Sequence, residues 1–374
     1  MTEEQLDSLL RMCAACPKMC RHVCPTFFAW RSDSPTPHGR ALLLHQEAMG
    51  VRDLDERAID VLYQCLECSH CLTWCLPGVD IAQAVEKARV RLVEAGTYPP
   101  ALDGLRDAVH QHHNPFGEPH EHRTEWQTDR GIEGARIAYF VGCTASYRER
   151  NIARSTSRLL SEFLGLDIVV TGDEWCCGSP LLRTGFAEEA KALAEHNTEV
   201  FNSLEVYSIV TSCPGCFRAL TKDYASLGVM IDTPVVHLSQ LLYSHLDTLP
   251  RGSVDSDITY HDPCHLGRHS GIYDEPRVVI ERVSGRPVVE MERNRENASC
   301  CGNGAGLRLL YPTAARAIGA ERVLHAQRTG ARYLVTACPF CKNLLDSESE
   351  DKLAVFDLSE FLLHALREHR SAPR

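Results

Sequence analysis

The sequence predicts an α+β protein: a helical N-terminal domain followed by two copies of an α/β unit built on parallel sheet. Three observations lead there. Cys143, Cys176, Cys177, Cys213 and Cys216 recur as Cys264, Cys300, Cys301, Cys338 and Cys341 at offsets of 121, 124, 124, 125 and 125 residues, so the last 240 residues are an internal duplication with small loop insertions. Within the copies, short β-branched runs alternate with helix-length stretches, the pattern of βαβ units. Ahead of them, apolar residues recur at helical spacing around two further cysteine runs.

In chain order, Thr2 with Gln5 reads as a capping box, and Leu6, Leu9 and Leu10 form a stripe ahead of Cys13. The turn-rich Ser32-Asp33-Ser34-Pro35-Thr36-Pro37 precedes a helix ending near Gly50. Asp80 is a candidate N-cap for a helix with Ile81, Ala84, Val85, Ala88 and Leu92 on one face and Gly96 as its stop, which makes residues 1–98 a small helical domain. Residues 99–134, punctuated by Pro99, Pro100, Pro115 and Pro119, read as a linker along the surface. Its His110, His112, His113, His120 and His122 lack the cysteine partners and apolar shell of a metal site. Residues 135–250 form the first copy, with strands at 137–141, 168–170 and 208–211 and a helix over 188–204. Residues 251–374 form the second, where Tyr333-Leu334-Val335-Thr336 matches the last of those strands.

Cysteine is about five per cent of the 374 residues, below the range of a disulfide scaffold. The chain opens Met-Thr-Glu-Glu-Gln with no basic n-region, apolar stretch or lipidation signal, so the thiols are expected in a reducing cytoplasm, as metal ligands or redox groups. No run nears the ~18 apolar residues of a membrane span, so any membrane association would come through a partner. A formal charge of −11 argues against nucleic acid. Ordinary solubility accounts for that charge, ahead of a docking face for a basic partner.

All eighteen cysteines fall into four sets. Cys65, Cys68, Cys71 and Cys75 have the spacing C-x2-C-x2-C-x3-C, in which three close thiolates wrap one cubane 4Fe–4S cluster and the fourth completes its neighbour. The partner run is Cys13, Cys16, Cys20 and Cys24, followed by Pro25. The crossed assignment is then Cys13, Cys16 and Cys20 with Cys75, and Cys65, Cys68 and Cys71 with Cys24. Two features depart from the pattern: three residues separate Cys16 from Cys20, and Leu76 stands between Cys75 and Pro77. Zinc also takes four cysteines, but in paired C-x2-C knuckles.

Thr336-Ala337-Cys338-Pro339-Phe340-Cys341 alone resembles a glutaredoxin-like dithiol at a helix N-terminus. In both copies, however, C-P-x-C follows a Cys-Cys-Gly by 35 or 36 residues, and five cysteines repeated as a unit point to a multi-iron site. Gly178, and in the second copy Gly302, Gly304 and Gly306, lack the side chains that would keep backbone N–H groups from cluster sulfur. Gly302-Asn303-Gly304-Ala305-Gly306 does not have the G-x-G-x-x-G spacing of a dinucleotide loop, and no flavin or NAD fingerprint is found elsewhere. Trp74 and Trp175, each just before a cysteine, read as a water-excluding shell.

At these residues the chain resembles the CCG-domain, or cysteine-rich-domain, iron–sulfur proteins: the heterodisulfide reductases, in their D-type form and their split B and C forms, and the iron–sulfur components of glycolate, lactate and anaerobic glycerol-3-phosphate dehydrogenases. The likeness covers nearly the whole chain and its domain order. Asp262-Pro263-Cys264-His265-Leu266-Gly267-Arg268 is similar to the family's D-P-C-H-x-G-R segment, and Asn114-Pro115-Phe116-Gly117 resembles one in its linker. The resemblance implies that each complete CCG motif holds a non-cubane 4Fe–4S cluster through its five cysteines. It also implies that in the heterodisulfide reductases a disulfide is cleaved between two such clusters; both motifs are complete here.

The expected function is an iron–sulfur electron-transfer subunit of a multi-component oxidoreductase. With no site for an organic hydride donor, it needs a partner: an electron-transferring flavoprotein, a dehydrogenase subunit, or a membrane subunit feeding quinone. The alternative is a catalytic (hetero)disulfide reductase subunit. His265, with His261 and His269 nearby, is then a candidate proton donor to the leaving thiolate, weighed against a histidine that only hydrogen-bonds near the cluster. A zinc-bearing scaffold fits the cysteine count but not the spacing.

Overall fold

The computed structural model describes residues 3–127, 135–350 and 352–371; Thr2 of the expected capping box and residues 128–134 of the expected linker lie outside them. The N-terminal part is built from helices Glu3–Ala14, Pro25–Trp30, Pro37–Ala48, Glu56–Tyr63, His70–Thr73 and Ile81–Glu94. Local chemistry sets their starts. Thr36 accepts a hydrogen bond from Gly39 N with Pro37 in the first turn, where its missing N–H costs nothing. Asp55 and Asp80 accept from Ala58 N and Gln83 N in the same way. The helix Ile81–Glu94 buries Ile81, Ala84, Val85, Ala88 and Leu92, and with them Arg89, which periodicity places on the same face.

Residues 99–127 differ from the surface linker expected of them. Asp103–His112 is a helix, and Leu102 and Val109 are buried in the core that holds Val85 and Leu92. Asn114 closes a turn by accepting from Phe116 N at 3.0 Å and Glu118 N at 3.2 Å. Arg123 is 2 % exposed. Apolar residues hidden between prolines are enough to dock the segment.

Each copy forms a parallel sheet. Strands β1 (Ile137–Tyr139), β2 (Ile168–Val169), β3 (Ser208–Thr211) and β4 (Val235–His237) lie in the order β2-β1-β3-β4, and β5 (Ile258–His261), β6 (Tyr333–Thr336) and β7 (Ala354–Asp357) in the order β5-β6-β7. All pairings are parallel. The counterpart of β2 in the second copy is reduced to a bridge between Ile258 and Val288. Strands β1, β5 and β6 are buried along their length, as a sheet covered on both faces requires. Tyr139 and Val210 of the first sheet share one core with Tyr260 and Val335 of the second and with Phe361 of the helix Leu358–Ser371. Side chains of this kind stabilise the folded state by roughly 1.5–3 kcal/mol each when fully buried.

This topology places the cysteines. Cys143 follows β1, Cys213 follows β3, Cys264 follows β5 and Cys338 follows β6. All four stand at carboxyl ends of parallel strands, where α/β sheets open toward ligands.

Candidate metal centres

The two N-terminal runs interleave. The Cys13 thiol is pushed up to about 12, first by burial and then by Cys20, Cys75 and Cys16 beside it. Cys20 rises to about 11, again chiefly by burial, with Cys24, Cys75 and Cys16 as its thiol neighbours. Cys24, Cys65, Cys68 and Cys71 line one cavity together with His70, Arg40 and Thr26. Cys75 thus lies beside Cys13 and Cys20 of the first run, and Cys24 borders the cavity of the second run while also neighbouring Cys20.

In the first CCG motif the thiols are successive neighbours that perturb one another: Cys143 and Cys176, Cys176 and Cys177, Cys177 and Cys216, Cys216 and Cys213. The second motif repeats it, with Cys300 meeting Cys264 and Cys301, Cys301 meeting Cys341, and Cys341 meeting Cys338. Two contacts join the sets. Cys213 neighbours Cys338 across the two motifs, and Cys300 neighbours Cys68 of the N-terminal run. The sulfurs therefore run without a break from the helical part through the second motif to the first. The neighbouring thiols hold Cys177, beside Cys176 and Cys216, and Cys68, beside Cys300, below the usual thiol range.

Backbone geometry supports the same positions. Cys213 and Cys338 are the N-cap residues of helices Pro214–Arg218 and Pro339–Ser349, and Cys338 Sγ accepts from Cys341 N at 3.4 Å. Gly302 N donates to Cys300 Sγ at 3.5 Å. Gly302 has φ +96°, and a Cβ there would stand 2.4 Å from Ala315 O, so this glycine also lets helix Pro312–Gln327 close on the loop. Gly304 packs against Leu66 O, between Cys65 and Cys68, and so seats the second-motif loop on the N-terminal run.

His265 is half-buried, and its Nδ1 and Cys213 Sγ each lie 3.7 Å from the point a Cβ on Gly215 would occupy. Burial, followed by His269, Arg218, Arg183 and Arg268, holds its imidazole well below the usual range. It is neutral near pH 7 and carries one ring N–H. Trp74 corrects a second expectation: it is 48 % exposed, and its indole N–H reaches Asn297 Oδ1 at 2.9 Å, so it bridges to the second copy and seals nothing. Trp175 is sandwiched between His113 and His196 at ring separations of 3.7 and 3.6 Å.

Several residues of these centres escaped sequence reasoning. Arg123 donates to Cys143 Sγ at 3.6 Å and pairs with Glu174 at 2.7 Å. Arg322 donates to His261 Nδ1 at 3.0 Å. A ring nitrogen of His261 and the sulfurs of Cys301 and Cys341 lie within 4.8 Å of one another. His261, already noted near Cys264 in the sequence, stands where the first copy has Phe140.

The donor sets fit iron–sulfur clusters on the structure's own terms. Both ring nitrogens of His70, Nη2 of Arg268, Nη2 of Arg322 and Nε2 of His261 are buried polar atoms with no hydrogen-bond partner among the described residues. Orphaned buried donors are rare in folded proteins. All four residues border the sulfur sets, where cluster sulfides would accept from them.

A family model described as the cysteine-rich domain, CCG, matches residues 137–221 and 258–346. The chain is 36% identical to the D component of a dihydromethanophenazine:CoB–CoM heterodisulfide reductase of Methanosarcina acetivorans, over 93% of this chain and 90% of that protein. It is 28% identical to an EtfAB:quinone oxidoreductase of Syntrophomonas wolfei, over 82% of this chain and 47% of that one. Among solved structures, a hypothetical protein from Helicobacter pylori superposes with a TM-score of 0.56 at 12% identity, over 90% of this chain and 68% of that chain, a likeness of fold.

Proposed function

Because the chain belongs to the CCG cysteine-rich-domain family of iron–sulfur oxidoreductase subunits, we propose that it relays electrons within a multi-component oxidoreductase. Two cubane 4Fe–4S clusters would be held by Cys13, Cys16, Cys20 and Cys75 and by Cys24, Cys65, Cys68 and Cys71. Two further four-iron clusters, non-cubane in type, would be held by the five cysteines of each CCG motif. When bound, such clusters take up and release one electron at a time. The observation that carries the reading is the unbroken line of sulfur contacts, with Cys68 meeting Cys300 and Cys213 meeting Cys338. The protein's own part is to hold that order, bury the sulfurs and aim N–H groups at them. Its electrons come from or go to a flavoprotein, such as an electron-transferring flavoprotein, or a membrane quinone-linked subunit, and it works in the cytoplasm. No helix of the described residues is long and apolar enough to cross a membrane, so contact with a membrane would run through that partner.

One observation favours a second reading, disulfide cleavage at the paired CCG motifs. Cys213 and Cys338 come from different motifs yet meet, and His265 flanks Cys213. Cleaving a disulfide there takes two electrons and two protons and releases two thiols. The neutral His265 N–H would hydrogen-bond a departing sulfur.

Anaerobic holoprotein tests both. On reduction by a one-electron donor, EPR should show the N-terminal signals before those of the CCG motifs. Cys300→Ser should slow reduction of the first motif at least tenfold, and an unchanged rate would overturn the relay order. A paramagnetic signal that appears on oxidation only when a thiol is present would favour the cleavage reading.

A further inference from the structure

The two CCG motifs match in their thiols and differ in what surrounds them. Where the first copy has Phe140, three residues before Cys143, the second has His261, three before Cys264. The eleventh residue of helix Ala187–Asn202 is Asn197, and the eleventh of helix Pro312–Gln327 is Arg322. All four are fully buried.

Hydrogen bonding fixes the second pair. A guanidinium only donates, so His261 Nδ1 must accept from Arg322 Nε, and the ring proton sits on Nε2. That Nε2 is buried with no partner among the described residues, on an imidazole within 4.8 Å of the Cys301 and Cys341 sulfurs. Arg322 also donates to Arg293 O at 2.9 Å, while its Nη2 has no partner among the described residues. Arg268, near Cys264 and Cys300, likewise has an orphaned Nη2. Neither guanidinium has a carboxylate within ion-pair distance among the described residues; Asp262, close by, is held by both terminal nitrogens of Arg277 at 2.7 and 2.9 Å.

The first motif is balanced by contrast. Its Arg123 is neutralised by Glu174 at 2.7 Å, and Asn197 spends its amide on Cys176 O and Tyr224 Oη, each at 3.0 Å. Phe140 offers no donor.

We propose that His261 and Arg322 act as a cationic, hydrogen-bonded positioning pair on the sulfur of the second CCG centre, making it the more easily reduced of the two. An N–H donor and an uncompensated positive charge stabilise a cluster most in its reduced, more negative state. The second motif also touches the N-terminal set through Cys300 and Cys68. An electron leaving that cubane is therefore captured one step inward and waits there for a second. The inference rests on the reading that both motifs hold clusters.

The test is an anaerobic potentiometric titration of the holoprotein followed by EPR, with iron counted on each sample. The two CCG transitions should differ by at least tenfold in reduction equilibrium constant, about 59 mV for one electron. In His261→Phe and Arg322→Gln the upper transition should fall by a similar amount while the lower one stays. His261→Gln, which keeps an N–H donor, and Arg322→Lys, which keeps the charge, should restore most of it. Phe140→His leaves the second centre intact and should raise the lower transition, so it decides the matter if a second-site variant loses iron. About sixteen irons with coincident transitions, or an iron-replete His261→Phe with both in place, overturns this inference alone; about eight irons in the unaltered protein overturns the cluster reading beneath it.

Discussion

Arg123 and Glu174 carry the sharpest residue-scale consequence: two opposite charges, each almost wholly buried, 2.7 Å apart beside the Cys143 thiol. Glu174 also accepts from Val141 N and Gly142 N, both at 3.2 Å, so it pins the loop that presents Cys143. Removing one member of such a pair strands the other charge in a low dielectric. Arg123→Met should therefore cost about 3–5 kcal/mol in denaturant unfolding and lower iron retention at the first motif. A cost under about 1 kcal/mol would show that the pair is not what holds the loop. Gly302→Ala should act on the second motif alone. Its positive φ and the nearby Ala315 O together predict a loss of about 2–3 kcal/mol, with iron lost from that motif and retained elsewhere. The glycine was readable from its place after Cys-Cys. The ion pair was not, because its partners stand 51 residues apart and nothing in a charged residue's neighbourhood announces burial.

At the scale of elements, strand ends do the placing, and one of them titrates. Strand β7 ends on Asp357, which accepts from Ser359 N at 3.0 Å and Ser359 Oγ at 2.8 Å and so starts the last helix. Burial, reinforced by Glu360, pushes its carboxyl up to about 8. An unfolded aspartate titrates near 3.9, so between about pH 4 and pH 8 the folded state holds the extra proton. That contribution to stability is complete below about pH 4 and is lost as pH rises toward 8. Asp357→Asn keeps the acceptor and removes the titration; it should be more stable than the unaltered protein at pH 8 by more than about 1 kcal/mol, with a smaller gain at pH 5. Equal gains at both would contradict the assignment. Strands β1, β2, β3 and β6 were legible because buried parallel strands favour β-branched and apolar residues, and the near-constant offsets of the cysteines exposed the duplication; β4, β5 and β7 were not, being runs of three or four residues that end on His237, His261 and Asp357. Helix Asp103–His112 was not, since flanking prolines and histidines mask a short apolar face that only tertiary contact with Ile81–Glu94 makes useful.

Across the whole molecule, Arg89 ties three regions at one point. Fully buried, it pairs with Glu67 at 2.8 Å, donates to Leu62 O and Cys65 O at 2.8 and 2.7 Å, and reaches Arg183 O of the first copy at 2.6 Å and Ala305 O of the second at 3.3 Å. Arg89→Met should leave these carbonyl acceptors unpaired and Glu67 with Arg183 3.7 Å away as its cation, cost about 3–5 kcal/mol, and make the helical N-terminal part the first site of limited proteolysis. Uniform protease resistance would mean that apolar packing alone holds the regions together. Such a hub is what keeps Cys68 against Cys300, and hence the line of sulfurs continuous. The four-cluster account is tested most directly by iron and acid-labile sulfide per chain on anaerobically purified protein. It predicts about sixteen of each; about eight, the content of the N-terminal cubanes alone, would contradict it.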